Sequence, residues 1–187
     1  ILENSVNLFK DYPSKIYVNQ WMRKTFLSNI LKLNNISNIE IVGNNLGLLC
    51  NSVHFIDLVM ENLNICDFVI DSEASEIKNI IKTKRAGYFD IFGKLVWKSQ
   101  RSNLVFSLED RVLGGENRDV SFLISSESDS KKYILSGESL KEIKSSKNYH
   151  IPYLSEHTKD SIIKILQKKD PVIPNFIKSI GHHKLVL

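Results

Sequence analysis

Cysteine is scarce in this sequence of 187 residues, which contains only Cys50 and Cys66. These two thiols lack the C-x-x-C spacing of zinc and redox motifs, and they are too few for the disulfide framework of a small secreted domain. The cysteine content therefore predicts a protein of a reducing compartment, and we expect a cytoplasmic location.

Long apolar runs and targeting signals are also missing. The sequence has no run of about 18 apolar residues, the length that a transmembrane helix needs. It does not open with the charged and apolar regions of a signal peptide. Its first residue is Ile1 rather than methionine, and we expect the chain to be part of a longer polypeptide. No membrane partner is predicted.

A strong excess of charge of one sign is absent as well. Lysine and arginine number 25 and aspartate and glutamate 21, which gives a net charge of +4 spread along the chain. The densest basic clusters, residues 82–85 and 168–169, are short. Nucleic-acid binding usually requires a larger basic patch with interleaved aromatic residues. The sequence thus predicts no nucleic-acid partner.

Phosphate-binding loops and nucleophile motifs are absent too. No G-x-G-x-x-G or P-loop pattern follows a predicted strand. The G-x-S-x-G elbow of serine hydrolases and the H-E-x-x-H motif of zinc proteases do not occur either. If the chain serves an enzyme, part of the catalytic machinery must lie outside these residues.

In the first third of the chain, apolar periodicity predicts two strands and two helices. Residues 16–21 and 39–42 have strand character, and residues 23–33 have apolar positions at helical spacing. The longest apolar segment, residues 46–61, follows a Gly-Asn-Asn turn and is predicted to form a helix.

The middle of the chain alternates apolar and polar residues, which predicts a largely antiparallel sheet. Within it, residues 76–82 are expected to form a helical stretch. Amphipathic helices are predicted over residues 155–166 and 175–187. The predicted strands lie at residues 68–70, 87–97, 103–108, 120–124 and 133–135.

Helices at both ends with strands between them are typical of the α+β class. We therefore expect a large, mostly antiparallel open sheet with helices packed on one face. The length suits a single domain over residues 1–187 and is too short for a clean division into two domains.

The helix predicted over residues 46–61 carries polar residues among Leu, Val, Ile, Phe and Met. At about 3.6 residues per turn, Cys50, His54 and Asp57 share one stripe of this helix. Asn51 lies on the adjoining stripe with His54. A buried polar atom without a partner costs ~1–3 kcal/mol, so these groups need partners from protein, water or a ligand. We expect the chemistry of the protein at this helix.

Several segments resemble the Gfo/Idh/MocA family of NAD(P)-dependent oxidoreductases, which act on sugars, cyclitols and related compounds. Residues 47–57 form a glycine-led apolar helix with a polar residue, then His at i+4 and Asp at i+7, as in that family. Residues 17–23, 84–93 and 152–158 are similar to segments of a subgroup associated with surface-polysaccharide sugar metabolism. The likeness spans essentially the whole chain, as a C-terminal domain.

The resemblance implies a preceding N-terminal Rossmann domain, not contained in this chain, that binds NAD or NADP and carries the catalytic lysine. It also implies that this chain binds a sugar or nucleotide-sugar substrate and forms a homo-oligomer through its open sheet. The chain alone is then expected to be inactive. The alternative is a non-catalytic domain of the same fold that serves oligomerisation or scaffolding.

His54 and Asn51 are the candidate catalytic residues. Without the resemblance, His54 is best interpreted as a core histidine hydrogen-bonded to a backbone carbonyl or to Asp57. The resemblance favours a proton acceptor or donor for a sugar hydroxyl, which imidazole can be near neutral pH. Asn51 either orients a substrate hydroxyl or fixes the preceding loop.

Cys50 stands where the family's commoner helix has aspartate, so a carboxylate role cannot be carried over. We expect a small buried residue that lines the substrate cleft. Asp57 is expected to support His54 or to cap a neighbouring element. A metal site of Cys50, His54 and Asp57 lacks the second ligand pair usual for zinc, and no metal is predicted.

Arg23, Lys84 and Arg85 are the candidate substrate-binding cations. Their charged groups suit a phosphate or a uronate on the substrate, and the alternative is that they are solvated charges at turns and strand ends. His182 and His183 are expected to face solvent at the end of the last helix.

Overall fold

The structure, a computed structural model, describes residues 4, 16–24, 27–31, 35–83, 86–111 and 119–186. Within these residues, nine strands form a single sheet. The strands are β1 (Ile36–Gly43), β2 (Phe68–Ile70), β3 (Glu76–Lys82), β4 (Phe89–Ser99), β5 (Val105–Asp110), β6 (Val120–Ser126), β7 (Ser130–Ser136), β8 (Ser139–Glu142) and β9 (Asn148–His150).

The strands lie side by side in the order β2-β4-β5-β1-β6-β7-β8-β9, and β3 pairs with β4 along the same edge as β2. The pairing of β1 with β5 is parallel, and the other pairings are antiparallel. After β1, which lies in the middle of the sheet, the chain crosses to one edge and forms β2 and β3 there. It then returns through β4 to β5, which lies beside β1 and runs parallel to it. The sheet is open, mixed and mostly antiparallel.

A helical layer is built around one long helix that packs on β4 and β5. A 3-10 turn, a short helix and the last helix contact it, and a further helix packs on the 3-10 turn. These elements are the 3-10 turn Trp21–Lys24, α1 (Leu27–Ile30), the long helix α2 (Leu48–Leu63), α3 (Leu154–Leu166) and α4 (Phe176–Lys184). The predicted α+β class is therefore confirmed.

The hydrophobic core fills the space between α2 and the sheet. Trp97 and Phe106 stack with ring centroids 5.2 Å apart, and Phe68 lies 6.0 Å from Phe106. The indole N–H of Trp97 donates a hydrogen bond of 2.7 Å to the carbonyl of Leu185, which attaches the end of the last helix to the sheet. The core thus fixes both α2 and the carboxyl-terminal segment.

Residues 76–82 form β3 and not the predicted helical stretch. Ile77 and Ile80 are three positions apart, which is a helical spacing, and a bulge between Ile77 and Asn79 accommodates that spacing in the strand. Most side chains of β3 are exposed, so no buried face imposes an alternating pattern on its sequence. Pairing with β4, a long-range contact, decides its conformation.

The predicted strand at residues 16–21 is also wrong. Its only strand-like pairing among the described residues is a single bridge between Tyr17 and Asn175, and a 3-10 turn begins at Trp21. The segment packs beside α4 and not beside a neighbouring strand, so it cannot join the sheet. The helix predicted over residues 23–33 is found only at Leu27–Ile30, and part of that range lies outside the described residues.

Candidate functional site

A glycine and two carboxylates from the sheet shape the amino end of α2. Gly47 precedes the helix with a φ of 70°, a left-handed conformation that residues with a side chain rarely adopt. The backbone N–H of Leu49 donates to Asp90 Oδ1 at 2.8 Å, and that of Gly47 donates to Asp110 Oδ2 at 3.3 Å. Negative charge is favourable at a helix amino end, where N–H groups lack partners within the helix. The carboxylates therefore help to fix α2 against β4 and β5.

Sequence reasoning missed both Asp90 and Asp110. Each lies on a strand far along the chain from α2, so no local spacing links them to the helix. The available signal is chemical, since a buried aspartate at either end of an apolar strand is expected to have a partner. Asp110 Oδ1 is itself buried without a hydrogen-bond partner in the described residues, and burial raises the pKa of this carboxyl.

Cys50 and Asn51 are exposed on the first turn of α2, and His54 lies half-buried one turn later. The prediction that Cys50 is buried is therefore wrong. The buried stripe of the helix begins at Leu48 and continues through Phe55, which leaves position 50 on the opposite side. The predicted stripe of Cys50, His54 and Asp57, with Asn51 beside it, is divided in the structure. Cys50 and Asn51 are exposed and His54 is half-buried, whereas Asp57 is buried.

The side chain of Asn51 is compatible with both roles that the sequence left open, fixing the preceding loop and orienting a substrate hydroxyl. Its Nδ2 donates a hydrogen bond to the carbonyl of Leu46, and it thereby holds the loop that precedes the helix. At the same time the residue is exposed. The amide can thus fix the loop and still present its oxygen to a ligand.

His54 has one ring nitrogen without a partner. Its Nδ1 is buried and forms no hydrogen bond with any described residue. An imidazolium would carry an N–H there with no acceptor, so the neutral ring is favoured. Burial, with a smaller effect of nearby His183, lowers the pKa of His54 below its ordinary value of 6.5. The ring is therefore unprotonated at neutral pH.

Asp57 pairs with Arg23. Arg23 Nε donates to Asp57 Oδ2 at 2.7 Å, and its Nη2 donates to Oδ1, so the contact is bidentate. Arg23 Nη1 also lies 3.0 Å from Glu61 Oε2. The Asp57 side chain is 0% exposed and that of Arg23 10%. Arg23 is thus occupied by carboxylates of α2, and Asp57 supports the helix through Arg23.

His182 is buried, which contradicts the prediction of a solvent-facing histidine at this position. Its Nδ1 lies 3.0 Å from Gln20 Oε1 and 3.3 Å from Asp57 Oδ1. Burial, together with the nearby Arg23 charge, lowers the pKa of His182 to about 4. Gln20 in turn donates to Ser179 Oγ at 3.3 Å, so polar contacts join the segment at residues 16–24 to α2 and α4.

The predicted site residues thus fall into two groups on α2. Cys50, Asn51 and His54 form an accessible group near its amino end, and Asp57 belongs with Arg23 to a buried group further along. The two remaining candidates, Lys84 and Arg85, lie outside the described residues.

Within the described ranges, no group of three or more His, Cys, Asp or Glu side chains is placed to hold a metal ion. No helix in the same ranges has the length and apolar character needed to cross a bilayer.

The amino end of α2 does not fit the pyrophosphate of a dinucleotide cofactor. A helix that follows a strand and a glycine-containing loop is the usual place for such an anion, because its first N–H groups are free. Here Asp90 and Asp110 accept hydrogen bonds from Leu49 and Gly47, and they place negative charge where the phosphates would lie. The amino end of α2 therefore leaves no place for the dinucleotide phosphates.

Comparison of the sequence with protein-family models and with curated proteins gave no match. Comparison with solved structures did. The fold is similar to that of levoglucosan dehydrogenase, solved with NADH and levoglucosan, with a TM-score of 0.66 and 11% identity over 98% of this chain and 65% of the other. It is also similar to UDP-N-acetylglucosamine 3-dehydrogenase from Acidithiobacillus ferrooxidans, with a TM-score of 0.57 and 10% identity over 98% and 62%. A super-repressor mutant of Gal80p from Saccharomyces cerevisiae matches with a TM-score of 0.59 and 14% identity over 99% and 65%.

The fold is that of the parts of these structures that the chain covers. This likeness of fold agrees with the Gfo/Idh/MocA resemblance seen in the sequence. The chain spans less than two thirds of the length of each of the three structures, 62% to 65%. Identities of 10% to 14% make this a likeness of fold, and the chemistry has to be argued from α2 and its surroundings.

Proposed function

We propose that the chain is the C-terminal, substrate-binding domain of an NAD(P)-dependent oxidoreductase acting on a CH–OH group of a sugar or nucleotide sugar. The observation that carries the proposal is His54, a neutral imidazole whose buried Nδ1 has no partner in the described residues. A histidine with a purely structural role usually has its buried nitrogens hydrogen-bonded. The unsatisfied nitrogen of His54, close to the exposed amide of Asn51, supports the binding of a ligand by these two residues.

In this proposal His54 exchanges the proton of the substrate hydroxyl. The lowered pKa keeps the ring unprotonated at neutral pH, so it can accept that proton when the substrate is oxidised. Asn51 hydrogen-bonds a neighbouring hydroxyl and fixes the substrate relative to the imidazole. Cys50 contacts the substrate from the same side of α2 without exchanging a proton. The nicotinamide, when bound, supplies the hydride chemistry.

The cofactor, NAD or NADP, is assigned in this proposal to a dinucleotide-binding domain that precedes the chain. The occupied amino end of α2 supports that assignment, because it leaves no place for the dinucleotide phosphates there. Levoglucosan dehydrogenase, solved with NADH, supports the cofactor class. The same relative and the UDP-N-acetylglucosamine dehydrogenase support a sugar or nucleotide sugar as substrate.

Two further roles are assigned to basic residues. Lys84 and Arg85 are proposed to contact a phosphate or uronate of the substrate, as the sequence predicts. Arg23 is proposed to act as a positioning residue, because Asp57 and Glu61 already take its hydrogen bonds. A place in surface-polysaccharide precursor metabolism, in the cytoplasm, completes the proposal. The exposed thiols Cys50 and Cys66 form no disulfide, which is consistent with a reducing compartment.

We further propose that two copies associate through the open sheet. Large apolar side chains are exposed along the edge formed by β2, β3 and the start of β4. Exposed apolar surface at a sheet edge often marks an interface. The exposed residues there are Val69, Ile70, Ile77, Ile80 and Phe89.

The proposal is tested with the longer polypeptide that contains this chain. The purified protein is mixed with NAD or NADP and a panel of sugars and nucleotide sugars, and reduction of the nicotinamide is followed by absorbance. Turnover of at least one compound is expected, and none is expected from the chain by itself. Absence of a G-x-G-x-x-G after a first strand in the preceding sequence would contradict the proposal.

A non-catalytic oligomerisation or scaffold domain is the second candidate. The observation that favours it is Cys50, which stands where the family resemblance leads us to expect a carboxylate. A longer polypeptide that assembles but reduces no cofactor with any compound of the panel would support this second candidate.

A further inference from the structure

Two clefts lie beside the turn that joins β7 to β8, and Glu138 lines both of them. The larger cleft, of about 440 Å³, lies between this turn and the start of α3. The smaller one, of about 360 Å³, lies between the turn and β9. The backbone N–H of Ile151 donates a hydrogen bond of 2.7 Å to the carbonyl of Glu138, which fixes the turn against the segment that leads from β9 into α3. Glu138 is therefore held beside clefts of a size that accepts small molecules.

The carboxylate of Glu138 is only partly satisfied. The Tyr153 hydroxyl donates a hydrogen bond to this carboxylate, and the bond, with the negative charge of Glu138, raises the pKa of Tyr153. Oε1 of Glu138 is buried and forms no hydrogen bond with any described residue. Buried polar atoms of proteins nearly always have a partner, and an ionised carboxylate can only accept hydrogen bonds. A donor group is thus the partner that Oε1 requires.

The walls of the larger cleft suit a chain of methylene groups. They are formed mainly by the apolar residues Leu135, Ile151, Pro152 and Leu154. Tyr153 also lines the cleft and is 65% exposed, and an exposed tyrosine ring can attract a cation to its face. No lysine or arginine of the described residues lines either cleft. The larger cleft therefore combines a carboxylate, an aromatic ring and apolar walls.

We propose that the larger cleft binds an ammonium or guanidinium group carried on a short aliphatic chain, with Glu138 Oε1 as its acceptor. Charge favours this class of ligand over a neutral hydroxyl, because a hydrogen bond with an ionised partner is about twice as strong as a neutral one. A negative charge in a cleft that no basic side chain lines also attracts cations. The proposal is independent of the dehydrogenase activity, since none of these residues belongs to the group on α2.

Ligand-observed NMR with the longer polypeptide tests the proposal. The probe is n-butylammonium, and the matched control is n-butanol, which has the same chain and a neutral hydroxyl. The cation is expected to bind at least about tenfold more tightly, because it forms a charge-assisted hydrogen bond with Glu138. Equal affinities for the two compounds would overturn the proposal.

A second titration separates two sources of the cation. The probe is a lysine blocked at its α-amino and α-carboxyl groups, which represents a side chain of a partner protein. Binding of this compound supports the proposal with a partner's side chain as the ligand. Binding of n-butylammonium alone supports it with a small free amine as the ligand. Absence of binding by both cations would overturn it.

Three variants locate the binding. Glu138→Gln keeps the shape of the side chain but removes its charge, and it is expected to weaken binding of n-butylammonium at least about tenfold. Glu127→Gln, at an exposed position in the turn at the other end of β7, is the matched control and should bind as the parent does. Tyr153→Leu keeps an apolar wall and is expected to weaken binding about two- to fivefold.

Unchanged affinity in Glu138→Gln would overturn the proposal, and so would equal weakening by Glu127→Gln, which would indicate a general effect of net charge. Circular dichroism shows whether each variant is folded. If Glu138→Gln does not fold, Tyr153→Leu decides in its place, and the parent affinity in that variant would then overturn the proposal.

Discussion

Two histidines on neighbouring helices illustrate how burial alone does not assign a role. His182 is buried and its Nδ1 has partners in Gln20 and Asp57, which is what a structural histidine requires. His54 is less buried, yet its Nδ1 has no partner in the described residues. Burial lowers the pKa of both rings, so both are neutral at pH 7. The unsatisfied nitrogen, and not the shifted pKa, separates His54 as the candidate for chemistry.

The pKa of His182 predicts how stability depends on pH. In the unfolded chain this ring titrates near 6.5, and in the folded chain burial lowers its pKa to about 4. Between these values only the unfolded chain takes up the proton, so the stability present above pH 6.5 is lost as the pH falls toward 4. The loss is about 3 kcal/mol. His54 contributes in the same direction.

Urea unfolding at a series of pH values measures this effect. His182→Gln is expected to remove most of the decrease between pH 6.5 and 4, because glutamine takes up no proton. His150→Gln, at an exposed position on β9, is the matched control and should leave the slope as it is. An equal slope in the parent and in His182→Gln would contradict the assignment.

The pair of Arg23 and Asp57 predicts a large effect of one substitution. Arg23→Met removes the cation that pairs with the Asp57 carboxylate, which is 0% exposed. Removal of one partner of a buried ion pair costs about 3–5 kcal/mol of stability. Arg101 is the control, since it is 82% exposed and lies 4.0 Å from Asp67. Arg101→Met should change the free energy of unfolding by less than about 0.5 kcal/mol. Similar losses for both variants would refute the argument.

At this scale the sequence predicts which groups lie together on α2 but not what they contact. Helical spacing is sufficient to place Cys50, Asn51 and His54 on one side of the helix. It cannot reveal that Asp57 pairs with Arg23, because that contact depends on how the 3-10 turn packs on α2. The exposure of Cys50 depends likewise on which stripe of α2 faces the sheet.

Among the secondary-structure elements, the pair of β3 and β4 depends on one glycine. Gly93 has a φ of 142°, and a Cβ at this position would lie 2.0 Å from the backbone oxygen of Glu76 on β3. Backbone atoms of a paired strand cannot move away without breaking the pairing. This close approach accounts for the glycine in the middle of β4.

Gly93→Ala is therefore expected to lower the free energy of unfolding by at least about 3 kcal/mol, because backbone strain and a steric clash act together. Gly137→Ala is the control, with a φ of 58° and open space around its Cβ, and should lose about 1–2 kcal/mol. Urea unfolding midpoints measure both losses. Equal losses would show that the clash with β3 does not occur.

Elements with a buried face could be predicted, and elements without one could not. The prediction of a strand at residues 39–42 is confirmed by β1, and that of a helix at residues 46–61 by α2, because burial imposes periods of two and 3.6 on them. The short strands β8 and β9 together contain one buried residue, Leu140, so no apolar pattern in the sequence predicts them. The sequence does not predict β3 either, because most side chains of this strand are exposed.

At the scale of the whole molecule, the proposed function makes the described residues one side of an active site. The sheet and its carboxylates fix α2, and polar contacts from Arg23, Gln20 and His182 attach the flanking segments to it. Cys50 and Asn51 are then exposed beside the half-buried His54. The proposed function assigns the dinucleotide to a preceding domain, and the central claim therefore concerns His54 in the longer polypeptide.

Steady-state kinetics of His54→Gln in that polypeptide tests the central claim most directly. Glutamine keeps a polar side chain of similar reach but cannot accept a proton, so kcat is expected to fall about 10²–10⁴-fold with the fold and cofactor binding intact. His150→Gln, at an exposed position on β9, is expected to keep the parent kcat. A His54→Gln variant that turns over at the parent rate would contradict the account.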